Sequence, residues 1–227
     1  MRIIARNSNQ AMRKLLKKLK NAPMVKPRDI LTKELINVNI TIKNVGRDSG
    51  MITKYLPVNK NYVAKEIALY QTKSKSLKDY AKISNFWKKV SDNGTTIRSA
   101  YGYIIYEKHF DQFKYCLEIL KNDINSRKAV ITYKTPYHPK TKDNICTLSQ
   151  QFLVRNNRLH TIITMRSNDI KWGFRNDLPW FVFLSKKIAQ ELGVKLGQYY
   201  HNVGSLHIYE KTMKQLGWLE DDHSKKR

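Results

Sequence analysis

The 227-residue sequence holds only two cysteines, Cys116 and Cys146, which excludes a disulfide framework and points to a reducing compartment. It has no apolar run approaching the length of a bilayer-spanning helix. Arg and Lys recur through its first twenty residues, so an uninterrupted signal-peptide core is missing as well. A soluble, cytoplasmic protein without membrane association is expected. Acidic residues are also scarce: 18 Asp and Glu stand against 43 Lys and Arg, a formal net charge of +25. Such a surplus attracts polyanions and phosphorylated ligands, or it is simply a lysine-rich solvated surface. Weak nonspecific nucleic-acid association fits the first reading, and charge alone does not separate the two.

What is present describes a folded protein. A hydrophobic content of 41%, with 13 Tyr, argues against disorder, and a chain of this length can bury a core without disulfide or metal staples. No metal site is expected. Ser8 is a plausible cap for a helix reaching about Ala22, with Met12, Leu15, Leu16 and Leu19 on one face and Arg13, Lys17, Lys18 and Lys20 on the other. That basic N-terminal helix, within residues 1–27, ends at Pro23 and Pro27. Residues 34–43 alternate like a half-buried strand, and residues 44–50 form a turn-rich loop carrying Arg47.

A helix over 61–71 carries Glu66, and the Lys/Ser-rich stretch after it (72–82) is expected to be exposed. A further amphipathic helix covers 111–121 and buries Cys116 as an inert thiol. Val130 to Tyr133 is a strand candidate. Residues 150–166 read as a hairpin turning at Asn156-Asn157, 178–192 as a buried helix ended by Gly193, and 205–210 as a last short strand. With no repeat and no clear linker, one α+β or α/β domain over 1–227 is expected, with 213–227 as a short charged tail.

Cys146 stands in DNICTLSQQF, just before a strand. A lone cysteine is more often structural than reactive, and a nucleophilic thiolate needs positive charge beside it. Its company changes the reading. SAYG at 99–102, NSRK at 125–128, CTLSQQF at 146–152, MRSNDIKWGFRNDLPWF at 165–181 and HNVGSLHIYE at 201–210 together closely resemble the thymidylate synthase and deoxycytidylate hydroxymethylase family. The order and spacing agree from about residue 28 to 212, and the phage-type hydroxymethylases are the most similar branch.

The resemblance implies a mixed twisted sheet flanked by helices, and a homodimer formed through the sheet. It also implies a deoxyribonucleotide monophosphate substrate and 5,10-methylenetetrahydrofolate as cofactor. Cys146 matches the nucleophile that adds to carbon 6 of the pyrimidine, which activates carbon 5. Arg166 and Ser167 match phosphate ligands, Arg47 a third on a mobile loop, and Arg127 an arginine reaching in from the neighbouring subunit. His207 and Tyr209 match partners of the sugar hydroxyl, and strand alternation gives them one face. Glu66 matches a carboxylate that organises water and relays protons. Trp87, Tyr101, Asp169 and Gly173 match residues around the folate and the proton-transfer site.

Asp177 stands where uracil-specific members carry Asn, counting from Gly173; a shift of one residue, to Asn176, would restore the uracil reading. A carboxyl group that accepts from an amine and, when protonated, donates to a ring nitrogen complements cytosine. Only 18 residues follow Tyr209, with no apolar closing segment, and a wetter site favours hydration of the one-carbon adduct over its reduction. Thr147, Met165, Ile145, Lys128, Arg175, Asn176, Leu69 and Gln71 depart from the synthase pattern. Three readings follow. The first is a deoxycytidylate hydroxymethylase acting in a host-cell cytoplasm. The second is a methylating enzyme of the same family. The third is a non-catalytic basic subunit that touches nucleic acid.

Overall fold

The computed structural model describes residues 1–107, 109–134 and 140–220; the end of the expected charged tail, 221–227, lies outside them. Among the described residues the chain builds one seven-stranded mixed sheet with helices packed on one side, in the spatial order β1-β3-β7-β6-β5-β4, with β2 paired to β3. The strands are β1 (Arg2–Ala5), β2 (Met24–Val25), β3 (Thr32–Ile42), β4 (Val130–Thr132), β5 (Thr147–Arg155), β6 (Arg158–Asp169) and β7 (Lys195–Tyr209). β3 and β5 run antiparallel to their neighbours β7 and β6, whereas β6 and β7 are parallel.

Cross-strand register shows why the sheet has two unlike faces. Ile40, His201, Ile163 and Gln150 form one row across β3, β7, β6 and β5, and all four are buried. The long apolar helix α8 (Arg175–Glu191) lies over this face, and the Phe181 carbonyl accepts a hydrogen bond from Gln150 Nε2 at 3.1 Å. The neighbouring row, Thr41, Tyr200, Ile162 and Gln151, points the other way, and Tyr200, Ile162 and Gln151 are only half-buried.

The N-terminal segment is more than a basic helix. β1 pairs in parallel with β3, and α1 (Ser8–Lys20) then buries Met12, Leu15, Leu16 and Leu19. The cap is Asn7, whose side chain accepts from Gln10 N; Ser8 is instead the first helical residue, its hydroxyl donating to Asp48 at 2.9 Å. The expected loop 44–50 contains a short helix, α2 (Val45–Asp48). Helix α3 (Lys60–Gln71) carries Glu66 on its buried side. The stretch expected to be exposed forms α4 (Leu77–Ala81), which buries Tyr80 completely. The short helices α5 (Phe86–Val90) and α6 (Tyr101–Ile105) follow. Then comes α7 (Gln112–Asn122), where Cys116 is buried as expected and burial pushes its thiol up to about 12.

The hairpin turns at Asn156-Asn157, both with positive φ, the backbone a two-residue turn of type I′ requires. The last strand begins ten residues earlier than its sequence pattern suggests. A wide π-type turn, Ile170–Phe174, leads from β6 into α8, and α9 (Glu210–Gln215) follows β7.

Candidate active site

β5 and β6 bring Cys146 and Arg166 together. Cys146 immediately precedes β5, beside a register irregularity between Thr147 and Ser149; bulges of this kind re-aim side chains at functional sites. Arg166 extends along the loop before the thiol. Its Nε donates to the Ile145 carbonyl at 3.1 Å and its Nη2 to the Asn144 carbonyl at 2.6 Å, and Nη2 lies 3.4 Å from Cys146 Sγ. Burial pushes the thiol above its ordinary pKa, and the guanidinium opposes that shift. Gly204 lies against the same strand: a Cβ there would come within 2.7 Å of the Arg166 carbonyl, so only glycine lets β7 approach the arginine.

Asp143 clamps the loop before the thiol to the SAYG segment, its carboxylate accepting from the backbone N–H of Arg98 and Ser99 at 2.7 and 2.9 Å. Tyr101 at the start of α6 is thereby held over β5, its hydroxyl 2.7 Å from Thr147 Oγ1.

Two carboxyl groups face this region, Glu66 buried and Asp177 half-buried. Glu66 accepts from the Tyr62 hydroxyl at 2.8 Å, and burial raises its pKa to about 7. Asp177, in the first turn of α8, accepts from Asn168 Nδ2 at 3.0 Å. Burial, reinforced by the charge of Glu66, raises it to about 8. Taking a carboxylate charge out of water is costly, so near neutral pH Asp177 mostly keeps its proton while Glu66 is poised between its two forms. Gly173 packs against this pair: a Cβ would lie 2.5 Å from Asn168 Nδ2 and 3.6 Å from Asp177 Oδ2.

Asp169 ends β6 opposite His207 and caps the π-type turn, its Oδ1 accepting from the N–H groups of Lys171 and Trp172. Its other oxygen, Oδ2, is buried without a partner, and burial raises its pKa. His207 and Tyr209 share a face of β7 as alternation predicts, their rings 4.9 Å apart. Ser167 is half-buried beside Arg166.

Three expected residues lie elsewhere. Arg47 on α2 is exposed and lines a shallow cleft with Lys43, Leu196 and Gly197. Leu196 pairs with Leu159, seven residues along β6 from Arg166, a separation of about 23 Å at strand rise; Arg47 does not join the thiol. Arg28 does face the site from the turn before β3, beside the Tyr209 hydroxyl, whose pKa it lowers against burial. Its left-handed backbone, φ 54°, leaves no periodic signal in the sequence. Arg127 is exposed, its carbonyl bonded by Gln151 on β5, and does not reach Cys146 of its own chain. Trp87 packs edge-on against Tyr80, ring centroids 4.9 Å apart, one layer out from Glu66. Sequence patterns also passed over Trp172, 54% exposed beside Asp169, with Lys171 and Arg175 over its ring.

A thiol braced by an arginine, near two carboxyl groups of raised pKa at the strand ends of a mixed sheet, has the parts of an enzyme working by nucleophilic addition. The comparisons specify it further. The family model described as Thymidylate synthase matches residues 10–222, and the chain belongs to the thymidylate synthase family: it is a one-carbon transferase. It is 31% identical over 169 residues to the deoxycytidylate 5-hydroxymethyltransferase of Enterobacteria phage T4, covering 68% of this chain and 69% of that protein. It is 29% identical over 160 residues to the thymidylate synthase of Bacillus atrophaeus, covering 65% and 69%. In fold it is similar to the thermostable thymidylate synthase A from Bacillus subtilis, with a TM-score of 0.71 and 22% identity over 93% of this chain and 83% of that one.

Proposed function

We propose that the protein is a deoxycytidylate 5-hydroxymethyltransferase, and the observation that carries this reading is the state of Asp177. A half-buried carboxyl raised to about 8 is an O–H donor as well as an acceptor at neutral pH. Cytosine presents an unprotonated ring nitrogen and an amino group, and a neutral carboxyl satisfies both. Uracil presents an N–H and a carbonyl; an amide matches that edge as well as a carboxyl matches cytosine.

The Cys146 sulfur adds to carbon 6 of the base, and carbon 5 gains the nucleophilic character it lacks in the free nucleotide. Arg166 lowers the cost of the thiolate, and Arg166, Ser167 and Arg28 supply phosphate contacts from the same chain. Methylenetetrahydrofolate, when bound, supplies the one-carbon unit. The unpartnered Oδ2 of Asp169 and the exposed Trp172 ring fit a folate, one as acceptor for ring N–H groups and the other as a stacking surface. Trp87 would close the same side through Tyr80. Glu66, near pKa 7, takes and returns protons through water, and the polar cluster of Glu66, Tyr62 and Asp177 suits the water that would complete a hydroxymethyl group.

The row of Thr41, Tyr200, Ile162 and Gln151, half-buried at its last three positions, is the face through which two chains would pair, with Arg127 crossing to the partner's phosphate site. The identities of 31% and 29% leave hydroxymethylation and methylation side by side among the relatives. Mass spectrometry of the nucleotide formed from dCMP and methylenetetrahydrofolate tests the reading. Gain of a CH2O unit is expected; gain of CH2, or reaction with dUMP alone, would overturn it.

A further inference from the structure

Behind Asp177 lies a buried chain of polar side chains that the reading above does not use. His201 is fully buried between the rings of Phe174 and Phe181. Its Nδ1 lies 2.9 Å from the Tyr199 hydroxyl, and its Nε2 lies 3.3 Å from Asn168 Oδ1. Asn168 Nδ2 in turn lies 3.0 Å from Asp177 Oδ2. The four side chains form one line, Tyr199, His201, Asn168, Asp177, from the core of β7 to the start of α8.

The donors in that line can be assigned by elimination. Tyr199 is buried, with the His201 ring nitrogen as its hydrogen-bond partner, so its O–H must donate to Nδ1; the reverse polarity would strand a buried hydroxyl hydrogen. His201 then carries its proton on Nε2 and donates to Asn168 Oδ1. This fixes the Asn168 amide with its NH2 toward Asp177. The ring can hold this role because burial depresses its pKa to about 3, leaving it neutral with one donor and one acceptor. Asp177 Oδ2 is thus committed as an acceptor, and any proton on the carboxyl sits on Oδ1. Gly173 leaves the space in which amide and carboxyl meet.

We propose that His201, held in one tautomer by Tyr199, is a positioning residue for base selection: through Asn168 it sets which oxygen of Asp177 accepts and which donates. The proposal rests on Asp177 reading the base, and it adds that the reading is directional because the layer behind it is directional. Without His201 the amide could turn over, and Asp177 could present either sense to the base, including the one that suits uracil.

The test has two arms. In 15N-histidine-labelled protein, the His201 signal, identified by its loss in His201→Gln, should show Nε2 protonated and Nδ1 bare between about pH 5 and 9, whatever the substrate. A protonated Nδ1 would overturn the proposal. In the second arm, kcat/KM is measured for dCMP and dUMP in wild type, Tyr199→Phe, His201→Phe and His201→Gln, with thermal melts alongside. The dCMP-to-dUMP ratio should fall about tenfold in Tyr199→Phe and further in His201→Phe. His201→Gln restores an N–H donor to Asn168 and should recover most of the ratio. A parallel loss on both nucleotides at constant ratio would mean simple packing and would sink the idea. If wild type prefers dUMP, the assignment of Asp177 to cytosine fails, while the tautomer and the variants' drift toward parity still decide the role of His201.

Discussion

At the thiol two effects oppose each other: burial disfavours the thiolate, and the Arg166 guanidinium 3.4 Å away favours it. Removing the arginine takes away the larger of the two positive charges that oppose burial, leaving only Lys134. Arg166→Ala should therefore slow alkylation of Cys146 by iodoacetamide at pH 8 by about tenfold, with the alkylation pKa moved upward; an unchanged rate would show that the contact does not tune the sulfur. The carboxyl groups make a second prediction. Glu66 and Asp177 titrate near 7 and 8 in the fold, well above their values of about 4 in an unfolded chain. Between those values the folded state binds more protons, so stability is highest at low pH within that window and falls as pH rises through it. The double variant Glu66→Gln, Asp177→Asn should flatten that slope and gain about 2 kcal/mol at pH 8 in urea unfolding. A wild-type curve flat from about pH 5 to 8 would contradict both shifts.

At this scale much of the site was legible. Cys146, Arg166, Asp169 and Asp177 lie in two contiguous motifs whose chemistry reads directly from residue type. Arg28 was passed over, and the short helix that carries Arg47 lies away from the thiol, because neither period nor charge says which short segment folds toward it.

Among the elements, legibility followed periodicity. Helices α1, α3, α7 and α8 and the hairpin of β5 and β6 show strong patterns and lie within a few residues of where the sequence put them. The first ten residues of β7 did not read as a strand, because the buried alternation there runs through Tyr199 and His201 rather than aliphatic side chains. β1 is too short to carry a pattern and exists by pairing with β3. The hairpin offers a sharp test of local specification. Asn156 and Asn157 have φ values of 51° and 56°, which a β-branched residue reaches only with strain. Asn157→Val should cost about 1–2 kcal/mol in equilibrium unfolding, whereas Asn157→Gly should be neutral or stabilising. Equal stability for the two would mean that the turn is not formed as described.

For the whole molecule, the uncovered sheet face and the distant Arg127 lead to one expectation: a complete site needs two chains. Tyr200→Asp, at the centre of the uncovered row, should convert a dimer to a monomer in sedimentation equilibrium and abolish turnover. Arg127→Ala and Cys146→Ala proteins, each inactive, should regain roughly a quarter of wild-type activity when mixed and allowed to exchange, because a mixed dimer assembles one intact site. The charge of +25 acts at this scale too. Self-repulsion is screened by salt, so the melting temperature should climb as sodium chloride is raised, and any retention on DNA should vanish over the same range.

The central claim is that Cys146 activates carbon 5 of a cytosine nucleotide selected by Asp177. Release of tritium from carbon-5-labelled dCMP and dUMP, in the presence of methylenetetrahydrofolate, tests it most directly. Wild type should release tritium from dCMP in strong preference to dUMP, Cys146→Ala should release none, and Asp177→Asn should shift the preference toward dUMP. Release that survives in Cys146→Ala, or wild-type release from dUMP alone, would contradict the account.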